Sequence, residues 1–422
     1  MERAVRAGRA AETGALPPVR DLAATLKVSP ATVAAAYKLL RARGLVAGSG
    51  RQGTRVVARP ETPAAPITPD LPPGTIDLAT GSPDPELLPP LGPVLRSLDD
   101  EALLYGAETQ LAGLVAFAAS DLEADGIHAR AITILGGELD AIERVLREHA
   151  KPGDRIAVED PGFPGAVDLL KVSGLVPIPY AIDDEGPVPA AFEAALAGRT
   201  TAVLVSPRAQ NPTGAAIGDA RAGELRRILR KCPDTVLIEN DAAAPIAGAP
   251  PVTLRERSRA AWAIVRSTSR FLGPDLRLAV MAADELTTAR VQGRQALGTR
   301  WVSRILQRLA LSLWSDPAGG RRLARAADIY AQRRNALLAA LSSSRVRAHG
   351  RSGLNVWIPV RDEARTVRGL ADRGWAVAPG ERFRIASPPA IRVTTAALTQ
   401  PDAERFAADV TEILRAGPAR SA

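Results

Sequence analysis

Apolar Val33, Ala36, Tyr37 and Leu40 recur at three- and four-residue spacing, which predicts a helix from residue 30 to about 43 with one buried face. Ser29 stands before it as a good N-cap and Pro30 suits its first position. Gly44 marks its end. Residues 21–26 read as a shorter helix, and Lys27-Val28-Ser29 as the turn between the two. Leu45-Val46-Ala47, a turn at Gly48-Ser49-Gly50, and residues 54–57 read as a small hairpin. Helix, turn, helix, hairpin is a winged helix-turn-helix order. From about residue 75 to 418 the pattern changes to short β-rich runs at 155–159, 201–206, 235–240, 262–267 and 277–282. Several are continuously apolar, such as Ala202-Val203-Leu204-Val205, and several are separated by helical stretches. That pattern predicts a parallel sheet buried on both faces.

Three units follow: a module at 1–57, a proline-rich linker at 58–74, and a large α/β domain at 75–418. At 422 residues the chain has room for them. Charge sharpens the division. Residues 1–60 hold eleven Lys/Arg against three Asp/Glu, which accounts for the whole net charge of +8 and leaves the rest balanced. A compact basic module on a neutral body is the electrostatic footprint of nucleic-acid binding. One cysteine, Cys232, gives no disulfide framework and fits a cytoplasmic protein. There is no apolar run of membrane-spanning length, hence no expected membrane partner. Three scattered histidines (His128, His149, His349) give no metal-ligand spacing, so no metal is expected.

In the basic module, Leu16-Pro17-Pro18-Val19-Arg20-Asp21-Leu22-Ala23, Val28-Ser29-Pro30-Ala31-Thr32-Val33 and the run from Ala36-Tyr37 to Gly44-Leu45-Val46 resemble the GntR family of bacterial repressors. Gly50-Arg51-Gln52-Gly53-Thr54 resembles its wing tip. The resemblance implies that the second helix enters the major groove of an operator, with Ser29 and Thr32 near phosphates and bases. Arg20, Arg41, Arg51 and Thr54 complete the implied DNA contacts.

In the large domain, Gly81-Ser82-Pro83-Asp84-Pro85, Tyr105-Gly106, Glu159-Asp160-Pro161-Gly162-Phe163, Asn211-Pro212-Thr213-Gly214 and Ala378-Pro379-Gly380-Glu381-Arg382-Phe383 occur in the order found in class I/II aminotransferases. Fused to a GntR module, such a domain resembles the MocR subfamily of regulators. The implied fold is a mostly α winged helix-turn-helix followed by an α/β, fold-type-I, pyridoxal 5'-phosphate (PLP)-dependent transferase-like domain with a smaller α+β C-terminal subdomain. The implied state is a homodimer bound to double-stranded DNA, in the cytoplasm with the nucleoid. By the same resemblance, Asn211 matches the residue that bonds the PLP ring hydroxyl, Phe163 the ring-stacking aromatic, and Ser267 and Arg277 the phosphate ligands. Tyr105 matches a tyrosine reaching the partner subunit's phosphate, and Arg392 the arginine that takes a carboxylate in a bidentate pair.

Four positions depart from that pattern. Arg270 stands in Ser267-Thr268-Ser269-Arg270, where the family has the lysine that bonds PLP covalently. A guanidinium is delocalised and always charged, and cannot replace that amine. Asn240 replaces the aspartate that keeps the pyridine nitrogen protonated, and Ala242 replaces a ring-hydroxyl partner. Gly137-Glu138 places a carboxylate in the phosphate cup; at about 4 Å from a phosphate it would cost ~1 kcal/mol in water and ~4 at an effective dielectric of 20. An ion pair of Arg270 with Glu138 is one expected compensation. None of the other lysines (Lys27, Lys38, Lys151, Lys171, Lys231) falls in a matching motif. No catalytic residue is expected, and no covalent cofactor. Three readings stay open: a regulator that senses a small carboxylate or amino-acid-like effector through Arg392, a regulator that binds PLP non-covalently, and a large domain that only dimerises. An active aminotransferase is opposed by Arg270, Asn240 and Ala242 together.

Overall fold

The computed structural model describes residues 15–42, 46–48, 54–56, 71–98 and 104–416. The module begins with strand β1 (Ala15–Leu16), helix α1 (Val19–Leu26) and helix α2 (Pro30–Ala42). Lys27 turns the chain in the left-handed region at φ 54°, and the Ser29 hydroxyl accepts the Thr32 amide at 3.1 Å, capping α2. Strands β2 (Val46–Gly48) and β3 (Thr54–Val56) form the wing, with β1 added on the far side of β3. Leu16, Ala23, Val33, Tyr37, Leu40 and Val46 close a small core, and the Tyr37 hydroxyl donates to Pro17 at 2.7 Å. The expected helical face is therefore the buried one. Gly44, the wing tip and linker residues 58–70 lie outside the described residues.

Strand β4 (Ile76–Leu78) follows the linker. Strands β5 (Ala131–Leu135), β6 (Arg155–Asp160), β7 (Val176–Asp183), β8 (Gly186–Pro187), β9 (Thr200–Val205), β10 (Val236–Asn240), β11 (Trp262–Ser267) and β12 (Ala279–Ala283) build one sheet of order β5-β12-β11-β10-β9-β6-β7-β8. Successive residues of a strand face opposite sides. Ala202 and Leu204 of β9 enter one core with Ile142 and Leu170, while Val203 and Val205 enter the other with Phe192 and Leu225. Helices thus cover both faces, which explains the continuous apolar runs.

One expectation is corrected. The run at 277–282 was read as a parallel strand, but β12 pairs antiparallel with both β11 and β5. The cause is length: residues 268–278 form a short loop with no crossover helix, and a parallel return needs a dozen or more residues.

The C-terminal subdomain is a second sheet, β13 (Asn355–Pro359), β14 (Trp375–Pro379) and β15 (Ala390–Thr394), in order β13-β15-β14-β4. Trp375 and Phe406 pack edge to face at 5.4 Å in its core. Strand β4 pairs in parallel with β14, so the first segment after the linker is built into the C-terminal subdomain.

Candidate functional site

The parallel strands end at one cleft, as ligand sites of open α/β sheets do. Glu138 follows β5, Phe163 follows β6, Ser206, Arg208 and Asn211 follow β9, Asn240 and Ala242 follow β10, and Arg270 follows β11. These residues line about 510 Å³ of space, open solvent included. The fold thus brings six of the pocket positions read from the sequence into one wall.

Glu138 opens the 138–149 helix, where the amide dipoles favour an anion. Burial pushes its carboxyl up from the usual range, while the charges of Arg270 and Arg277 and the amide of Asn240 pull it back. Arg277, itself exposed, lies against Gly137: a Cβ built there would sit 2.8 Å from Nη2. The expected direct pair of Arg270 with Glu138 is not formed, since the Arg270 Nη1 donates instead to the Gly81 carbonyl. The two charges face each other across the cup without a contact. Asn240 Oδ1 is buried without a hydrogen-bond partner. The Ser267 hydroxyl donates to Ser269 at 3.1 Å.

Arg392, on β15, lies behind Asn211 of the cleft lining. It is 5% exposed, its Nη1 donates to Asn211 Oδ1 at 3.2 Å, and its Nη2 donates to the Ala79 carbonyl. Asn355 also donates to Asn211 Oδ1, at 3.4 Å. Phe383 lies under the guanidinium at 4.7 Å. The Nε has no partner. Burial pushes the Arg392 pKa down to about 9, Arg270 adds to that repulsion, and Asp77 opposes it. Among the described residues no carboxylate pairs with this buried cation.

Tyr105 lies elsewhere. It is 83% exposed and packs edge to face on Trp301 at 6.1 Å. Exposed Leu104, Leu297 and Ile305 extend the apolar surface of this region of the chain.

Sequence reasoning missed two buried polar groups. Asp241 receives Arg208 at 2.9 Å through both carboxylate oxygens and Arg266 at 2.9 Å, and the same arginines reach Asp125. Burial alone would raise its carboxyl; the arginines outweigh that and hold it low. Asp241 is thus fully engaged and cannot take over the missing role at Asn240. Glu159 receives the Ser206 amide at 2.6 Å, the Ser206 hydroxyl at 2.9 Å and Gln210 at 3.0 Å, and burial pushes its carboxyl up to about 7. Alternating hydrophobicity gives no sign of either; only the adjacent acidic pairs Glu159-Asp160 and Glu239-Asn240-Asp241 at strand ends hinted at it.

On the module, Arg20, Ser29 and Thr32 are exposed, the last two at the start of α2. Arg51 and the side chains of Arg41 and Thr54 lie outside the described residues.

Comparison with known proteins agrees with these two parts. Residues 1–56 match the family described as bacterial regulatory proteins, gntR family, and residues 108–410 match aminotransferase class I and II. The vitamin B6 salvage pathway transcriptional repressor PtsJ of Salmonella typhimurium is 37% identical over 414 residues, covering 97% of this chain and 95% of that protein. The uncharacterised HTH-type regulator YdcR of Escherichia coli is 28% identical over 54% of each chain. Among solved structures, the α-aminoadipate aminotransferase LysN of Thermus thermophilus matches with a TM-score of 0.72 at 23% identity, over 82% of this chain and 93% of that one. The multiple substrate aminotransferase of Thermococcus profundus matches with 0.73 at 21%, over 82% and 92%. No described helix is long and apolar enough to cross a membrane.

The fold implies PLP, so the residues were weighed against it. They fit poorly. The position matched to the covalent lysine carries a guanidinium, the position matched to the phosphate cup carries a half-buried carboxylate, and the position matched to the ring-nitrogen partner is a neutral amide with an unpartnered oxygen.

Proposed function

The chain belongs to the GntR regulators of MocR type, a winged helix-turn-helix joined to an aminotransferase class I and II domain, and from that premise we propose that the large domain is a non-catalytic sensor of a small carboxylate that governs DNA binding. The observation that carries this reading is the contrast of Arg270, which has no amine to form a covalent bond, with Arg392, a buried guanidinium whose Nε awaits an acceptor. A carboxylate offers that acceptor and a bidentate, charge-assisted pair. The protein would act in the cytoplasm as a homodimer. Support comes from the exposed Leu104, Tyr105, Leu297 and Ile305, a surface suited to burial against a second copy.

DNA contact is assigned to Arg20, Ser29, Thr32, Arg41, Arg51 and Thr54. Arg20→Ala should weaken operator binding by roughly tenfold and lower the salt slope by about one. Salt-insensitive binding, or undiminished binding by a chain starting at residue 75, would sink the assignment.

A second reading is favoured by the name of the Salmonella relative, which links it to vitamin B6 salvage. In it, PLP itself is the effector and binds reversibly, against the charge of Glu138. An absorbance spectrum of the purified protein with and without PLP, followed by borohydride, separates the cases. A yellow protein that borohydride bleaches while fixing PLP onto a lysine refutes both readings. A spectral change that dialysis reverses favours the second.

A further inference from the structure

Both guanidiniums of the cleft hold the same stretch of main chain. Arg392 donates to the Ala79 carbonyl and Arg270 to the Gly81 carbonyl, and both Nη atoms of Arg392 lie 3.1 Å from where a Cβ of Gly81 would stand. Upstream, this stretch continues from β4, the first strand after the linker to the module. Downstream, it is fastened at Asp84, whose carboxylate accepts Arg333 at 2.7 Å and whose amide donates to the Tyr330 hydroxyl at 3.1 Å. Between these anchors, residues 79–82 form a turn. Its local bonds come from Asp77, which accepts the amides of Ala79 at 2.8 Å and Thr80 at 3.1 Å. The carbonyls are neutral acceptors. A carboxylate binds guanidinium about twice as strongly as a neutral group and does so in a fork. The two arginines also repel one another, which an anion between them relieves.

We propose that Arg270 and Arg392 form one anion-operated latch on the Ala79–Gly81 turn, and that a small dicarboxylate entering the cleft takes over both guanidiniums and frees the turn that follows β4, the first strand after the linker. The proposal rests on the sensor reading above and adds the second cation, Arg270, and the turn that the pair holds. Two guanidiniums on one turn favour two carboxylates over one.

Amide hydrogen exchange of the full chain tests it, because exchange reports local opening residue by residue. The probe is succinate at millimolar concentration, against sodium chloride of equal ionic strength. Succinate should speed exchange at Ala79 and Thr80 by about tenfold, and chloride should not. Arg270→Gln should show fast exchange there without succinate. Arg392→Lys keeps the charge but loses the fork; it should need about ten times more succinate. The latch is refuted if these amides are equally protected in natural protein and Arg270→Gln, if Arg392→Lys responds like the natural protein, or if inorganic phosphate or PLP opens the turn and succinate does not. Exchange does not depend on DNA. Opening by succinate in a protein that binds no operator would leave the latch standing and overturn the regulatory reading alone.

Discussion

At one end of the cleft the chain supplies its own anion; at the other it supplies none. Glu138 sits half-buried at a helix N-terminus, facing the charges of Arg270 and Arg277. Arg392 is more deeply buried, yet its acceptors are an amide oxygen and a main-chain carbonyl, and its Nε has no partner. Asn211, which lines the cleft with Glu138, accepts Arg392, so the two ends are neighbours. They differ in whether charge is closed within the protein. On the sensor reading proposed above, the first arrangement opposes an incoming phosphate, and the second invites an incoming carboxylate.

The largest expected effect comes from reversing the first end. The variant carrying Glu138→Ala, Asn240→Asp, Ala242→Tyr and Arg270→Lys should bind PLP so that borohydride fixes it, whereas Arg270→Lys alone should not restore transamination. Attachment, electron withdrawal and phosphate anchoring are separate requirements, so one lysine does not meet all three. Mass spectrometry of the reduced proteins decides. Robust transamination by the single variant would break the comparison, because Glu138 would then be harmless.

A second measurement separates a buried carboxyl beside cations from one without them. Glu159 is held by neutral donors and is raised to about 7 from an ordinary 4.5. The folded state therefore keeps a proton that the unfolded state has lost between those two values. Stability from this group is present below the unfolded pKa and is lost as pH rises through about 7. The whole loss is of order 3 kcal/mol. In urea melts from pH 5 to 8, Glu159→Gln should flatten the fall seen in the natural protein. An unchanged slope would mean that Glu159 is ionised throughout.

The smallest effect contrasts the two arginines directly. Arg270→Gln removes a charge that lowers the Glu138 pKa, so that carboxyl rises further. The penalty should be small at pH 5 and about 2 kcal/mol at pH 8. Arg392→Gln removes a buried cation without a carboxylate partner and should change global stability by less than about 1 kcal/mol, or raise it. Equal destabilisation by both would show that the ends are not different in the way described.

Much of this was legible before any coordinates. Repeats of apolar residues at three and four positions gave α2, because a helix buries whatever lies along one stripe. Unbroken apolar runs gave the central strands, because a strand covered on both faces has no polar side. The winged module, the two-part architecture and the replacement at Arg270 rest on residue identity alone. Chain order, however, does not carry strand direction: β12 reads like its neighbours, and only the short loop before it turns it antiparallel. Nor does it carry which polar groups meet. Arg208, Asp125, Asp241 and Arg266 are far apart in sequence, and their shared burial exists only once β9, β10 and β11 are aligned. The sequence determined which charges were available: Glu138, Arg270, Arg277 and Arg392. Tertiary structure decided where each charge ends its hydrogen bonds, and it gave Arg270 to Gly81 rather than to Glu138, because a guanidinium is satisfied by whichever acceptor the packing brings within reach.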